Sequence, residues 1–382
     1  MELLHLEINV LLGIKMSLEC KSMNDAPLFC LLRNALWGNC ETVITDVTKS
    51  QRILKEAEKQ AVTALVLDAM DKRGVKLPEE VVVDYLLYSL QVEQDNKQLN
   101  AAVWALDSLF TKNGINYAIV KGQAVGSLYP NPLLRQSGDI DFYCDRENFE
   151  KAKDVLQLSW GVKFDAANSD HHLHFDYKEV TFEMHYALES LYNNQKNKYW
   201  KKLIDGDKGC EVVAGGNSIK TLSPMVHTLY VFLHLYHHLM ELGMGLKQFC
   251  DLAMMLHTYK SDVFQETLRH HLKELGMEKA FRACGSILVY QLGLPAEEFL
   301  YPLTDRDKHY GKRILDVVLY RGNMGRYNKK SEILGWKHTI ESIGIKVSHF
   351  VKFMPLASAF SCRWLMYKLV RMIRVKMWKK NG

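Results

Sequence analysis

No stretch of the chain approaches the ~20 consecutive apolar residues that a membrane-spanning helix requires, so the sequence contains no integral membrane segment to account for. Its 8 cysteines (Cys20, Cys30, Cys40, Cys144, Cys210, Cys250, Cys284 and Cys362) include no C-x-x-C pair, which removes the usual spacing of a structural zinc site. Cysteines scattered through a chain this long do not form a disulfide framework either, and they are expected to be mostly reduced, in a cytoplasmic protein. There is no internal repeat and no low-complexity linker, so the parts of the chain should pack on one another. Acidic residues stop at Glu341, while Lys and Arg continue to the C-terminus. Residues 1–20 are apolar, but Glu2 and Glu7 stand where a signal peptide needs positive charge, and Asn9 and Gly13 interrupt the apolar run. A secretion signal is therefore not expected.

The 382 residues are 48% hydrophobic and 24% charged, ordinary values for a globular protein with room for two domains. The formal net charge of +5 is mild and belongs largely to the C-terminal tail. It does not call for nucleic acid, and no basic strand with interleaved aromatics appears, so nucleic acid is not an expected partner.

Hydrophobic periodicity divides the chain. Residues 1–25 are set aside as an N-terminal extension. Residues 26–112 are helical in period: Leu28, Leu31 and Leu32, then Leu65, Leu67 and Met70, then Leu86, Leu87 and Leu90. Leu77-Pro78-Glu79-Glu80 reads as a helix start and Lys112-Asn113-Gly114 as a stop. Residues 113–222 change period: Tyr117 to Val120 and Ile140 to Cys144 are short strands, Phe149 to Leu158 is a helix, and His171 to Leu188 is a hairpin. Helical period returns in residues 223–355, and residues 356–382 form a basic amphipathic tail. The expected fold is α+β, a small mixed β-sheet core flanked by N-terminal and C-terminal helical regions.

The sharpest local feature is Ser137-Gly138-Asp139-Ile140-Asp141-Phe142-Tyr143. Alternate residues of a strand share a face, so Asp139 and Asp141 project together while Ile140 and Phe142 enter a core. Two adjacent carboxylates repel, and a hard divalent cation, Mg²⁺ or Mn²⁺, relieves that repulsion. If Lys178-Glu179 is the hairpin turn, His172, His174, Asp176, Thr181, Glu183 and His185 share one face. Leu173, Phe175, Tyr177, Val180, Phe182 and Met184 then share the other. The polar face suits a sheet lining a site, with Glu183 as a third metal-ligating carboxylate and His172, His174 and His185 as accessory candidates. Together with His171, these histidines could also supply nitrogen to zinc, which is the basis of a rival reading as a zinc hydrolase. A half-solvated hairpin is the plainer alternative. Upstream, Lys121-Gly122-Gln123 stands where a strand turns into a helix, a place suited to phosphate. Arg135 and Gly138 join it as phosphate-contacting candidates. His234, His237, His238 and Asp251 lie on later helices as candidate cleft residues.

These motifs carry a specific resemblance. Lys121-Gly122, Leu128-Tyr129-Pro130-Asn131-Pro132, Arg135, Gly138-Asp139-Ile140-Asp141 and Phe182-Glu183-Met184-His185 resemble the uncharacterised nucleotidyltransferase family, within the DNA polymerase β-like nucleotidyltransferase superfamily. The resemblance runs from about Ala26 through at least Leu256. It implies two-metal nucleotidyl transfer from an NTP to an unknown acceptor, a small molecule, glycan precursor or protein. Asp139, Asp141 and Glu183 would be the catalytic and metal-binding residues. Members of the family commonly lie among bacterial surface-polysaccharide genes, which implies a role in polysaccharide biosynthesis. Three departures stand out: Gln123 where Ser or Gly follows the turn glycine, a longer interval from Gly122 to Asp139, and Glu at the third acidic position. They leave open a catalytically silent protein that holds a nucleotide or a partner on the same fold. The tail, with Leu365, Met366, Leu369, Val370, Met372 and Ile373 opposite Arg363, Lys368, Arg371 and Arg374, is a candidate for peripheral contact with the inner face of an anionic membrane.

Overall fold

The computed structural model describes residues 26–38, 47–164, 172–328, 336–357 and residue 370. The N-terminal extension, His171 and, but for residues 356–357 and 370, the basic tail lie outside the described residues. Among the described residues the first helices are α1 (Pro27–Trp37), α2 (Val47–Gln60), α3 (Thr63–Lys72) and α4 (Glu79–Lys112). The α/β segment follows as β1 (Ala118–Val120), α5 (Gly122–Gly126), β2 (Ile140–Tyr143), α6 (Arg146–Trp160), β3 (His172–Tyr177), β4 (Val180–His185), α7 (Asn194–Asp205), β5 (Cys210–Ala214) and β6 (Asn217–Thr221). Helices α8 (Pro224–Glu241), α9 (Leu246–Thr258), α10 (Asp262–Leu275), α11 (Glu278–Tyr290), α12 (Asp305–Arg321) and α13 (Trp336–Phe353) complete it. The fold is α+β, with helical regions on both sides of one mixed sheet.

That sheet runs β3-β4-β2-β1-β6-β5. The β2–β4 and β1–β6 pairs are parallel; the other three are antiparallel. The hairpin closes on Lys178 and Glu179, whose φ values of 48° and 63° are those of a type I′ turn. This fixes the register: His172 faces His185, His174 faces Glu183 and Tyr177 faces Val180. Pairing of β4 with β2 sets Asp141 beside Glu183 and Tyr143 beside His185.

Alternation along the strands separates two cores. Ile119, Ile140, Phe142, Phe175, Phe182 and Met184 bury against Leu99, Val103, Leu106 and Phe110 of α4 and against α6. On the other face Ala118 and Val120 join the core built by α8, α9, α11 and α12. The polar face of the hairpin and Asp141 therefore look toward the C-terminal bundle.

Helix α4 runs unbroken through 34 residues, from the expected start after Pro78 to the expected stop at Lys112. At ~1.5 Å per residue it outruns the core. Its first turns leave Leu86, Leu87 and Leu90 at 60%, 59% and 53% exposure, although their spacing reads as a core stripe. Its middle is structural: Asn96 Nδ2 donates to the carbonyls of Leu133 and Arg135 and so pins the loop that precedes β2. The thiols of Cys144, Cys210, Cys250 and Cys284 are free, in line with mostly reduced cysteines, whereas Cys30 is disulfide-bonded. Among the described residues no helix is long and apolar enough to cross a membrane.

Helices α11 and α12 meet at Gly311, where an added Cβ would stand 1.8 Å from Ser286 Oγ and 2.7 Å from the Ala283 carbonyl. Gly311→Ala is accordingly expected to cost about 1–3 kcal/mol through overpacking. Urea denaturation should show a lower midpoint with an unchanged slope.

Candidate active site between the sheet and helix α8

Strand β1 leads into Lys121, whose backbone takes φ 59° and ψ −141°, a conformation non-glycine residues rarely adopt. A neighbour holds it there. Lys121 N–H donates to His227 Nε2 at 3.1 Å, and His227 Nδ1 lies 3.3 Å from Thr221 Oγ1. The Thr221 hydroxyl spends its own proton on the Ile119 carbonyl at 2.6 Å, so it accepts from Nδ1 and fixes the imidazole tautomer. Burial brings the His227 pKa down to about 4, which keeps the ring neutral for this role. Gly122 follows at φ 39°, where glycine is favoured.

This turn aims the Lys121 ammonium across the sheet. Its Nζ donates to Asp141 Oδ1 at 2.8 Å, and His185 Nε2 donates to the same oxygen at 2.8 Å. His185 Nε2 also lies 3.5 Å from Glu183 Oε2. The Asp141 side chain is only 5% exposed. Burial disfavours its charge, but Lys121 and His185 outweigh burial and hold the carboxyl well below the usual range. Burial likewise opposes ionisation of Glu183, and the His185 hydrogen bond reverses it to a net downward shift. Asp139 differs: burial, then the charge of Asp141, push its carboxyl up. The acidic face thus carries more negative charge than Lys121 and His185 neutralise, the condition in which a divalent cation is favoured.

The other expected residues divide. His172 and His174 stand on the same face, His174 Nδ1 3.5 Å from Glu183 Oε1 and His172 Nε2 4.0 Å from Glu183 Oε2. Gly138 is exposed, and a Cβ there would meet nothing within 4 Å, which leaves open space beside Asp139. Gln123 points away from the acidic face: its side chain is buried and donates to Asn100 Oδ1 of α4 at 2.8 Å. Arg135 is also turned inward, a correction to its reading as a phosphate contact. Its Nε and Nη2 donate to Asp251 Oδ1 and Oδ2 at 2.7 and 2.8 Å, and Tyr129 OH donates to Asp251 as well. A buried bidentate guanidinium already has its carboxylate and is not offered to a ligand. Asp251 is spent in the same pair. Among the described residues, the metal-capable trio whose donor atoms lie within 4.8 Å of one another is His172, Glu183 and His185. The trio Asp139, Asp141 and Glu183 is not drawn together that tightly.

Residues 46–290 match the uncharacterised nucleotidyltransferase family. The chain belongs to that family. A crystal structure of an antigenic nucleotidyltransferase-like protein from Paracoccidioides brasiliensis is similar at 16% identity, covering 47% of this chain and 87% of that one, with a TM-score of 0.30. No curated protein matches the chain. The match takes in the whole sheet and helices α2 to α11.

Sequence reasoning missed two residues here. Lys247 opens α9 and donates to the Gln136 carbonyl at 3.0 Å. Burial and Arg135 bring its pKa down to about 8, with Asp139 close enough to oppose them. The available signal was its position one turn before Asp251. Glu189 was missed because it lies in a segment without periodicity, four residues past β4. It accepts from His234 Nδ1 at 2.8 Å and from His237 Nδ1 at 2.5 Å. His234 Nε2 reaches Lys121 Nζ at 3.4 Å, so a polar chain runs from Asp141 through Lys121 and His234 to Glu189 and His237. His237 continues it to Glu241 at 3.2 Å, and Lys346 Nζ lies 3.6 Å from the same Glu241 oxygen.

Burial opposes a charged His237, but Glu189 and Glu241 overcome it and raise the pKa to about 9. A raised histidine contributes stability that is complete below its unfolded pKa near ~6.5 and is lost as pH rises through the folded value. Unfolding free energy should therefore fall by on the order of 3 kcal/mol between pH ~6.5 and ~9 from this residue alone. Comparison of wild type with His237→Gln in urea across that range checks it, and the variant should lack this component.

Proposed function

We propose that this chain is a divalent-cation-dependent nucleotidyltransferase that moves a nucleotidyl group from an NTP to an acceptor hydroxyl. The observation that carries the reading is the parallel β2–β4 pair, which sets Asp141 beside Glu183 with the Lys121 ammonium on Asp141. Membership of the family supports the reading. Carboxylates in excess of the nearby positive charge are a donor set that suits Mg²⁺ or Mn²⁺. Asp139 and Asp141 would hold that cation, which when bound supplies Lewis-acid charge to the triphosphate.

The remaining work falls to the side chains. Lys121 and Lys247, whose charges both act on Asp139, neutralise charge on the phosphates; Lys247 takes the part that Arg135 cannot. Glu183, ionised and on the solvent side of Asp141, accepts the proton of the acceptor hydroxyl. The acceptor oxygen bonds to the α-phosphorus, the bond from that phosphorus to the bridging oxygen of the β-phosphate breaks, and diphosphate leaves with the electron pair. Little covalent work is asked of the protein beyond this placement and charge neutralisation. A small molecule, a glycan precursor or a protein side chain would each supply such a hydroxyl. The polysaccharide role and the cytoplasmic location expected from the family resemblance belong to this proposal. So does contact of the basic tail with an anionic membrane surface.

The test is nucleotide-dependent thermal stabilisation. Each NTP should raise the melting temperature only with Mg²⁺ or Mn²⁺ present, by the linkage that follows from binding the native state alone. Asp139→Asn should abolish the shift and Lys247→Met should weaken it. Labelled NTP incubated with host lysate should yield a labelled acceptor. Binding without any labelled product would make the chain a nucleotide-holding protein, and a shift that survives Asp139→Asn would remove the metal assignment.

A further inference from the structure

We infer that the polar face of the β3–β4 hairpin is a second cation site, selective for zinc, built from His172, Glu183 and His185 with His174 beside them. The donors come from two strands in fixed register: His172 and His185 form one cross-strand rung, and Glu183 with His174 forms the next but one on the same face. One donor atom from each of His172, Glu183 and His185 lies within 4.8 Å of the other two. Tetrahedral zinc with bonds of about 2.0–2.1 Å sets its ligand atoms about 3.3 Å apart. His185 Nε2 lies 3.5 Å from Glu183 Oε2, and His172 Nε2 lies 4.0 Å from it, so small side-chain rotations close the set. Two imidazoles and one carboxylate are the donor set of open zinc sites that keep a position for water or substrate, and imidazole nitrogen favours zinc over magnesium.

A second observation points to the same spot. His172 Nε2 and His174 Nε2 face each other at 2.8 Å, although both rings have solvent on one side. Their nitrogens, the Glu183 carboxylate and His185 stand together on one face of the hairpin. Access is open, with the His172 and Glu183 side chains 23% and 20% exposed, while His185, at 8%, is buried, and its Nε2, which donates to Asp141 Oδ1 in the free protein, exchanges that hydrogen bond for the ion on binding. The hairpin turn and the apolar opposite face, with Phe175 stacked on Phe182, keep the strands rigid beneath the donors. The free protein thus already holds much of the geometry that a bound ion would need.

This site stands on the hairpin alone and does not require nucleotidyl transfer, although its Glu183 also serves the reading above. The ion here would lie beside, and be distinct from, the one assigned to Asp139 and Asp141. If both readings hold, it supplies charge next to the acceptor side of the reaction.

The experiment uses the full chain stripped with chelator and titrated with Co²⁺ as a spectroscopic probe, then with Zn²⁺ in competition. Saturable binding at one ion per chain is expected, with the visible bands of four- or five-coordinate cobalt bleached by zinc. His172→Gln should weaken binding by more than about tenfold, because even loss of an outer hydrogen-bond partner of a ligand costs that much. His174→Gln reads the contribution of the neighbour. Far-UV circular dichroism and a metal-free melt of each variant should match wild type, since both residues sit on the edge strand. Asp139→Asn should leave the cobalt spectrum unchanged while abolishing the Mg²⁺–NTP stabilisation, and His172→Gln should do the reverse. The proposal is overturned if no saturable cobalt or zinc binding occurs, if His172→Gln binds as tightly as wild type, or if Asp139→Asn abolishes the cobalt spectrum.

Discussion

One buried ion pair organises the centre of this molecule. Lys121 and Asp141 meet at 2.8 Å with side chains 16% and 5% exposed, where neither charge would be tolerated without the other. Bringing them together dictates much else. The backbone at Lys121 must leave the ordinary regions of conformational space, which requires His227 and Thr221 to hold it. Asp141 must sit on the sheet face opposite the aromatic core, which requires the period-two pattern of β2. Charge left over on Asp139 and Glu183 is the residue of an arrangement in which one ammonium answers several carboxylates.

The polar chain leading away from Lys121 extends the same constraint into the helical region. His234 accepts from the ammonium and donates to Glu189, Glu189 accepts from His237, and His237 donates to Glu241. Alternating donors and acceptors satisfy one another along the chain, which is the condition for keeping several titratable groups inside a packed interface. Helix α8 supplies three of its members, so the bundle is joined to the sheet by polar contacts as well as by the apolar core around Tyr230 and Phe232.

Much of this was legible in the sequence wherever a local rule decides the outcome. The alternation in β3 and β4 and the two-residue turn between them gave the correct register, because side chains in a strand repeat every two residues and a one-residue slip would exchange the faces. The placement of Asp141 beside Glu183 follows from the same two-residue repeat. What was not legible depends on contacts distant in sequence. Arg135 and Asp251 are 116 residues apart, and nothing local to either predicts their pairing. The apolar spacing of Leu86, Leu87 and Leu90 implies burial only if another element arrives to cover them, which periodicity cannot supply. Glu189 and Lys247 carry no motif and acquire their character only from what folds around them.

The amide of Lys121 has a further bearing on recognition. In glycine-rich loops of nucleotide-binding proteins, successive backbone N–H groups wrap a phosphate and read its shape. Here the Lys121 amide is already engaged by a histidine ring, so on the proposed function an incoming phosphate would meet ammonium groups in place of a rigid ring of dipoles. Ammonium groups register charge and distance but hardly shape. On the proposed function, discrimination among nucleotides would then come from whatever grips the base and sugar, well away from the turn that first drew attention to the site.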